Sequence, residues 1–187
     1  MKNRLTLASL MVCLSVASAA DDEARHMQDA SQLMQRFGST LKGELQAAMK
    51  ADGPVAAIKV CNSRAPQIAA SLAQESGWRV ARTSLKRRNP ANAADDWEIA
   101  TLQDFARRQA AGEDAANLVR KDVVEMNGVK TFRVMKAIAT EPACTTCHGV
   151  DIKPEIKAEL DRLYVGDEAR GYQPGDIRGA FTFSKPL

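Results

Sequence analysis

Residues 121–138 read "KDVVEMNGVKTFRVMKAI". Two runs rich in β-branched and aromatic residues flank Asn127-Gly128, the pair that a two-residue hairpin turn with positive φ at both positions selects. A turn there sets Glu125 opposite Lys130, Val123 opposite Phe132 and Asp122 opposite Arg133. Both charged pairs are of opposite sign, which favours that register. An antiparallel hairpin is therefore the first fixed point.

Helical patterns lie on either side of it. Ala30, Met34, Phe37, Leu41, Leu45 and Ala48 recur at helical spacing, predicting a long first helix from about Asp22 to Lys50 with Gly53-Pro54 as its stop. In "VAAIKVCNSRAPQIAASLAQ" the positions Ile58, Cys61, Ala65, Ile68 and Leu72 form one stripe. Pro66 predicts a break near Arg64–Ala65. "WRVARTSL" reads as a weak strand followed by the loop "KRRNPAN". Asp95-Asp96 open a helix through Trp97, Leu102 and Phe105, and Arg107-Arg108 close it in the sense the helix dipole favours. Pro154 begins another helix through Ile156, Leu160 and Leu163, and "DIRGAFTF" reads as a last strand. Helices flanking an antiparallel sheet predict an α+β domain.

The first twenty residues, "MKNRLTLASLMVCLSVASAA", have the pattern of a secretory signal: Lys2 and Arg4, an apolar run, then Ala17-Ser18-Ala19-Ala20. That run is too short to span a bilayer. Val12 is not the small residue that lipid attachment at Cys13 requires. The expected division is a signal over 1–20 and a single domain over 21–187, exported to the periplasm and free of the membrane after cleavage. Of 26 Lys plus Arg against 23 Asp plus Glu, removing Lys2 and Arg4 leaves 24 against 23. A nearly neutral exported chain gives no support for nucleic-acid binding.

After the hairpin, in a segment expected to be a loop, stands "EPACTTCHGV", residues 141–150. Cys144-x-x-Cys147-His148 has the spacing of c-type haem attachment. Two thiols on adjacent turns can each add to a porphyrin vinyl group, and the next residue can bring imidazole to the iron. Three rivals share the cysteines. A thioredoxin-like dithiol belongs at a helix start after a βαβ strand, whereas this motif follows an antiparallel hairpin and Gly149 comes directly after it. A zinc site needs four ligands, and only Cys61 and His26 remain to supply sulfur or imidazole. A disulfide across two residues is strained and closes almost no loop. One motif implies one covalent haem c, with Cys144 and Cys147 as the thioether positions and His148 on the iron.

Cys61 is then the one thiol left in the mature chain. On its apolar stripe it is either a small buried hydrophobe or a distal iron ligand. His26 competes for the latter role, as does a methionine, although the sequence singles out none: Met34 and Met49 read as core, and Met126 and Met135 belong to the hairpin. The residues do not decide between them.

The blocks "AIKVCNSRAPQIA", "ESGWRVARTSLKRRNPAN", "CTTCHG" and "GDIRGAF" together resemble the bacterial periplasmic single-haem c-type domain with a PAS-like fold, long catalogued as a domain of unknown function. The resemblance runs from about Met34 to Phe183. It implies a central antiparallel sheet with flanking helices, and haem ligated by His148 and by the cysteine of "VCNSRAP", Cys61. Arg79, Arg82, Lys86, Arg87 and Arg88 form a basic stretch in which Arg82 and Arg87 are candidate partners for haem propionates. The same charge suits an acidic redox partner.

The function expected is redox or ligand sensing by a periplasmic c-type haem protein. The candidate partners are a redox protein or a diatomic gas. The alternative is a soluble single-electron carrier, and a haem peroxidase-like enzyme is a third class. No catalytic constellation stands out.

Overall fold

The hairpin pairs in the expected register, with Glu125 opposite Lys130, Val123 opposite Phe132 and Asp122 opposite Arg133. Asn127 and Gly128 both take positive φ, 52° and 80°, as the tight turn requires. The charges serve a different partner, however. Asp122 accepts from Trp97 Nε1 and Arg120 Nε, both at 2.8 Å. Arg133 donates to Asp95 at 2.7 Å and to Glu98 at 3.1 Å. Asp122 and Arg133 thus face the helix start at Asp95, Trp97 and Glu98 rather than each other.

The computed structural model describes residues 19–187. Of the expected signal over 1–20, only Ala19 and Ala20 are among them, and Cys13 lies outside. Four strands, β1 (Arg79–Thr83), β2 (Val119–Met126), β3 (Val129–Ala139) and β4 (Ile177–Pro186), form one antiparallel sheet in the order β1-β4-β3-β2. Five α-helices accompany it: α1 (Ala19–Lys59), α2 (Ala65–Ser76), α3 (Asp96–Ala110), α4 (Thr145–His148) and α5 (Pro154–Leu163). The α+β architecture with a long N-terminal helix is the one expected.

The sheet buries both faces. On one, Val80, Phe132, Val134 and Phe183 pack against Leu33, Met34 and Phe37 of α1 and Ile68 and Leu72 of α2. On the other, Met135, Ala137 and Ala180 meet Leu102 and Phe105 of α3, with Leu118 alongside. Phe37, Phe105, Phe132 and Phe183 are fully buried, and truncating such a phenylalanine to alanine costs roughly 3–5 kcal/mol. A smaller cluster joins Ile58 to Ile156, Leu160 and Tyr164 and holds α5 against the end of α1.

Two helix boundaries differ from expectation for a stated reason. Gly53 is non-helical (φ 79°, ψ −174°), yet helix resumes through Pro54 to Lys59. Proline is tolerated in the first turn of a helix, so Gly-Pro makes a break and restart rather than a stop. Ahead of Pro66 the chain does not part; it widens. Val60–Arg64 form a π-helical turn in which the Ala65 N–H reaches the Val60 carbonyl, five residues back. Pro66 lacks the N–H that would bond the Asn62 carbonyl in an α-helix, and it falls instead in the first turn of α2. α3 opens with a capping box: Asp95 accepts from Glu98 N, and Glu98 from Asp95 N.

Candidate cofactor site

Cys144 and Cys147 are held by short helical turns rather than by the loop expected. A 3₁₀ turn over Pro142–Cys144 runs into α4, which carries Cys147 and ends at His148. Gly149 closes the turn because no larger residue fits: a Cβ there would sit 2.5 Å from the Thr145 carbonyl oxygen. The three cysteines among the described residues, Cys61, Cys144 and Cys147, are free and partly buried.

A strap following α5 lies along the motif. Tyr172 N donates to the His148 carbonyl at 2.9 Å, and Gly171 N to the Gly149 carbonyl at 3.0 Å. The Ala169 carbonyl lies 2.8 Å from His148 Nδ1. Arg178 Nε lies 3.1 Å from the same nitrogen, but one nitrogen cannot donate to a carbonyl and accept from a guanidinium together. The shorter carbonyl contact assigns the proton to Nδ1 and leaves the lone pair on Nε2. Burial, with Arg178 and Arg88 nearby, pushes the His148 pKa down to about 3. The ring is thus a neutral imidazole, the state that ligates metals.

Cys61 sits in the π-helical turn, a feature frequent at functional sites. Burial pushes its thiol pKa up, while Arg82, Arg88 and Arg178 oppose that shift and the Cys144 thiol adds to it. The Cys147 thiol is likewise raised by burial and by the other two cysteines. The structure therefore brings together Cys61, Cys144, Cys147, His148 and Arg82. His26, the rival imidazole, packs against Trp78 and Phe132 instead, and Met34 and Met135 are core residues.

The basic residues divide by burial. Arg82 carries its guanidinium 5.4 Å from the Phe37 ring centre, and burial lowers its pKa. Arg87 is exposed, with its carbonyl accepting from Glu168 N. The residue turned inward is Arg88, only 8% exposed and paired with Asp167 at 3.1 Å. Arg178 joins it from β4, where the register slips so that Ala139 pairs with Ile177 and Ile138 with Gly179, leaving Arg178 as the extra residue. Such bulges re-aim side chains beside functional sites. Arg178 donates to Ser84 Oγ at 3.1 Å and lies 5.3 Å from the Tyr172 ring centre. Its pKa is lowered by burial, and Arg88 and Arg82 lower it further. Asp167 is paired with Arg88 and Arg170, and the half-buried Arg82 and Arg178 add further positive charge beside them, a surplus suited to an anionic group.

Reading the sequence alone missed Arg88, Arg178, Asp167 and the Ala169 carbonyl. Arg88 stood within the basic stretch and Arg178 within "GDIRGAF", but a charge run does not reveal which member is buried. Among the described residues no group of three His, Cys, Asp or Glu side chains converges as for a bare metal ion. The site offers thiols, one imidazole nitrogen and cations, a donor set that fits an acidic cofactor bringing its own metal.

No curated protein matches the chain. The fold superposes on that of the cyanobacterial heme-protein Tll0287 with a TM-score of 0.62 and 19% sequence identity, covering 91% of this chain and 98% of that one. The model of the Tll0287-like family matches residues 14–186. A match over nearly the whole length places this protein in the Tll0287-like family.

Proposed function

We propose that this chain is a periplasmic c-type haem protein, exported by its N-terminal signal, that acts in redox or ligand sensing. Cys144 and Cys147 hold one haem through thioether bonds, His148 ligates the iron through Nε2, and Cys61 is the distal ligand. The observation that carries the reading is His148: its Nδ1–H is taken by the Ala169 carbonyl while Nε2 has only a 3.5 Å contact from Arg88 Nη1, beside three free thiols. The relative named a heme-protein supports the choice of cofactor.

Haem, when bound, would supply one-electron iron chemistry. The chain's own residues set its conditions. The Ala169 carbonyl fixes the imidazole tautomer. Arg82, Arg88 and Arg178 favour the thiolate form of Cys61 against burial, and thiolate ligation lowers an iron potential. Arg82 and Arg178 are the half-buried cations for propionates, and exposed Arg87 is available at the rim. Were haem bound, His148 and Cys61 would hold it, and Cys61, whose thiol pKa burial raises, is the side chain suited to yield to a diatomic gas.

Purified mature protein, expressed with the haem-attachment machinery, tests this. Haem resistant to acidified acetone is expected, as is a ferric spectrum that changes in Cys61→Ser. Extraction of the haem, or a colourless product, refutes covalent attachment. Carbon monoxide binding to the reduced form favours sensing, and inertness favours the soluble single-electron carrier.

A further inference from the structure

We infer that Arg88 is a positioning residue for His148 that acts through the Ala169 carbonyl, an inference that rests on the haem reading above. Lys86 and Arg87 beside it are exposed, so burial of Arg88 is a property of the site rather than of the basic stretch. Its guanidinium spans two separate segments. Nη2 donates to the Cys147 carbonyl at 2.5 Å and to the Ala169 carbonyl at 3.2 Å, and Nε donates to Asp167 Oδ1 at 3.1 Å. Nη1 lies 3.5 Å from His148 Nε2. Asp167 is itself fixed, accepting from Ala169 N and Arg170 Nε, both at 2.9 Å. Its side chain is 1% exposed.

The Ala169 oxygen thus accepts from a cation and from the imidazole at once. A cation at that oxygen withdraws electron density and weakens its pull on the Nδ1–H. Less imidazolate character then reaches Nε2, and the ligand favours ferrous over ferric iron more than an unshared carbonyl would allow. A lysine would keep the charge but not the fork that reaches both carbonyls and the carboxylate.

The test compares wild type, Arg88→Gln, Arg88→Lys and Asp167→Asn in the full mature chain. Two quantities are read: the haem midpoint potential, and the solvent exchange of the His148 Nδ1–H by nitrogen-15 NMR on the haem-free chain. Arg88→Gln is expected to shift the oxidised-to-reduced ratio about tenfold toward oxidised at fixed ambient potential, about 59 mV for one electron. It also speeds Nδ1–H exchange at least tenfold, because exchange follows how often the strap opens and the tie from Arg88 to the Cys147 carbonyl that holds the strap shut is gone. Arg88→Lys restores part of the potential but not the slow exchange, which separates positioning from simple charge. Asp167→Asn loosens the guanidinium without removing it and falls between, and it decides the matter if Arg88→Gln does not fold. Wild-type potential and wild-type exchange in both Arg88→Gln and Asp167→Asn overturn the inference. A wild-type chain that takes up no haem refutes the haem reading instead, and exchange in the haem-free chain still decides the role of Arg88.

Discussion

The Ala169 carbonyl oxygen lies 2.8 Å from His148 Nδ1, on a strap that also accepts from Arg88 and pairs its backbone with His148 and Gly149 at the end of the motif's last turn. The imidazole is therefore oriented before any cofactor arrives. A His148→Gln chain is expected to keep its fold and, if matured, to retain covalently held haem with a five-coordinate or substituted iron. Absorption and resonance Raman spectra check this; an unchanged low-spin spectrum would remove His148 from the iron.

Loss of either motif thiol has a graded expectation. On the proposed reading Cys144→Ala or Cys147→Ala would leave a single thioether, so the alkaline pyridine spectrum should move between those of fully and non-covalently attached haem. The double variant should surrender its haem to acidified acetone. Retention in the double variant would place the attachment elsewhere.

Gly149→Ala is expected to destabilise the motif turn. The added Cβ meets the Thr145 carbonyl at 2.5 Å and Thr145 Cβ at 3.0 Å, and overpacking of this kind costs about 1–3 kcal/mol. Urea unfolding of the haem-free chain measures it, and a midpoint equal to wild type would show that the turn yields without cost.

Under α3, Glu98 is 1% exposed and accepts from Arg133 at 3.1 Å and Thr182 Oγ1 at 2.7 Å. Removing one member of a buried pair strands the other, so Glu98→Ala is expected to cost about 3–5 kcal/mol. Replacing Glu98 and Arg133 together by leucine and methionine should recover much of that loss. Denaturant titration of the single and double variants reads both, and failure of the double variant to recover would show that the network specifies packing as well as charge balance.

Asp95 gives a pH dependence. Burial pushes its carboxyl up, but hydrogen bonds from Arg133 and the Glu98 backbone and the charges of Arg133 and Arg79 outweigh it, so its pKa is lowered below 3.8. A depressed folded-state value means stability that is present above the unfolded pKa and lost as pH falls through the folded one. Acid should therefore destabilise wild type below about pH 4 more steeply than Asp95→Asn. Parallel melting-temperature curves for the two would refute the contribution.

The parts of the fold legible in sequence were those decided by local chemistry. Asn127-Gly128, Asp95 and Pro154 each impose one backbone geometry on their neighbours, and strands and helices begin or turn where those residues stand. Gly53-Pro54 misled because proline is as welcome at a helix start as it is hostile within one. Cys144, Cys147, His148 and Cys61 could be named because their chemistry is scarce in this chain. Arg88 and Arg178 could not, because an arginine's destination depends on a bulge in β4 and on Asp167, 79 residues away from Arg88, and neither leaves a periodic trace. Arg87 and Arg88 are adjacent and alike in sequence, and the strap alone separates them.

The π-helical turn at Val60–Arg64 absorbs one surplus residue without parting α1 from α2. Excising a single residue there would restore the α-helical ladder and turn only the side chains of the bulge, by roughly 100° about the axis, while Ile68 and Leu72 of α2 keep their place in the core. Sulfur placement and scaffold stability are in this way separable traits of one polypeptide, and chains of this architecture can gain, lose or exchange the residue presented at that spot by a one-codon insertion or deletion rather than by rebuilding a core.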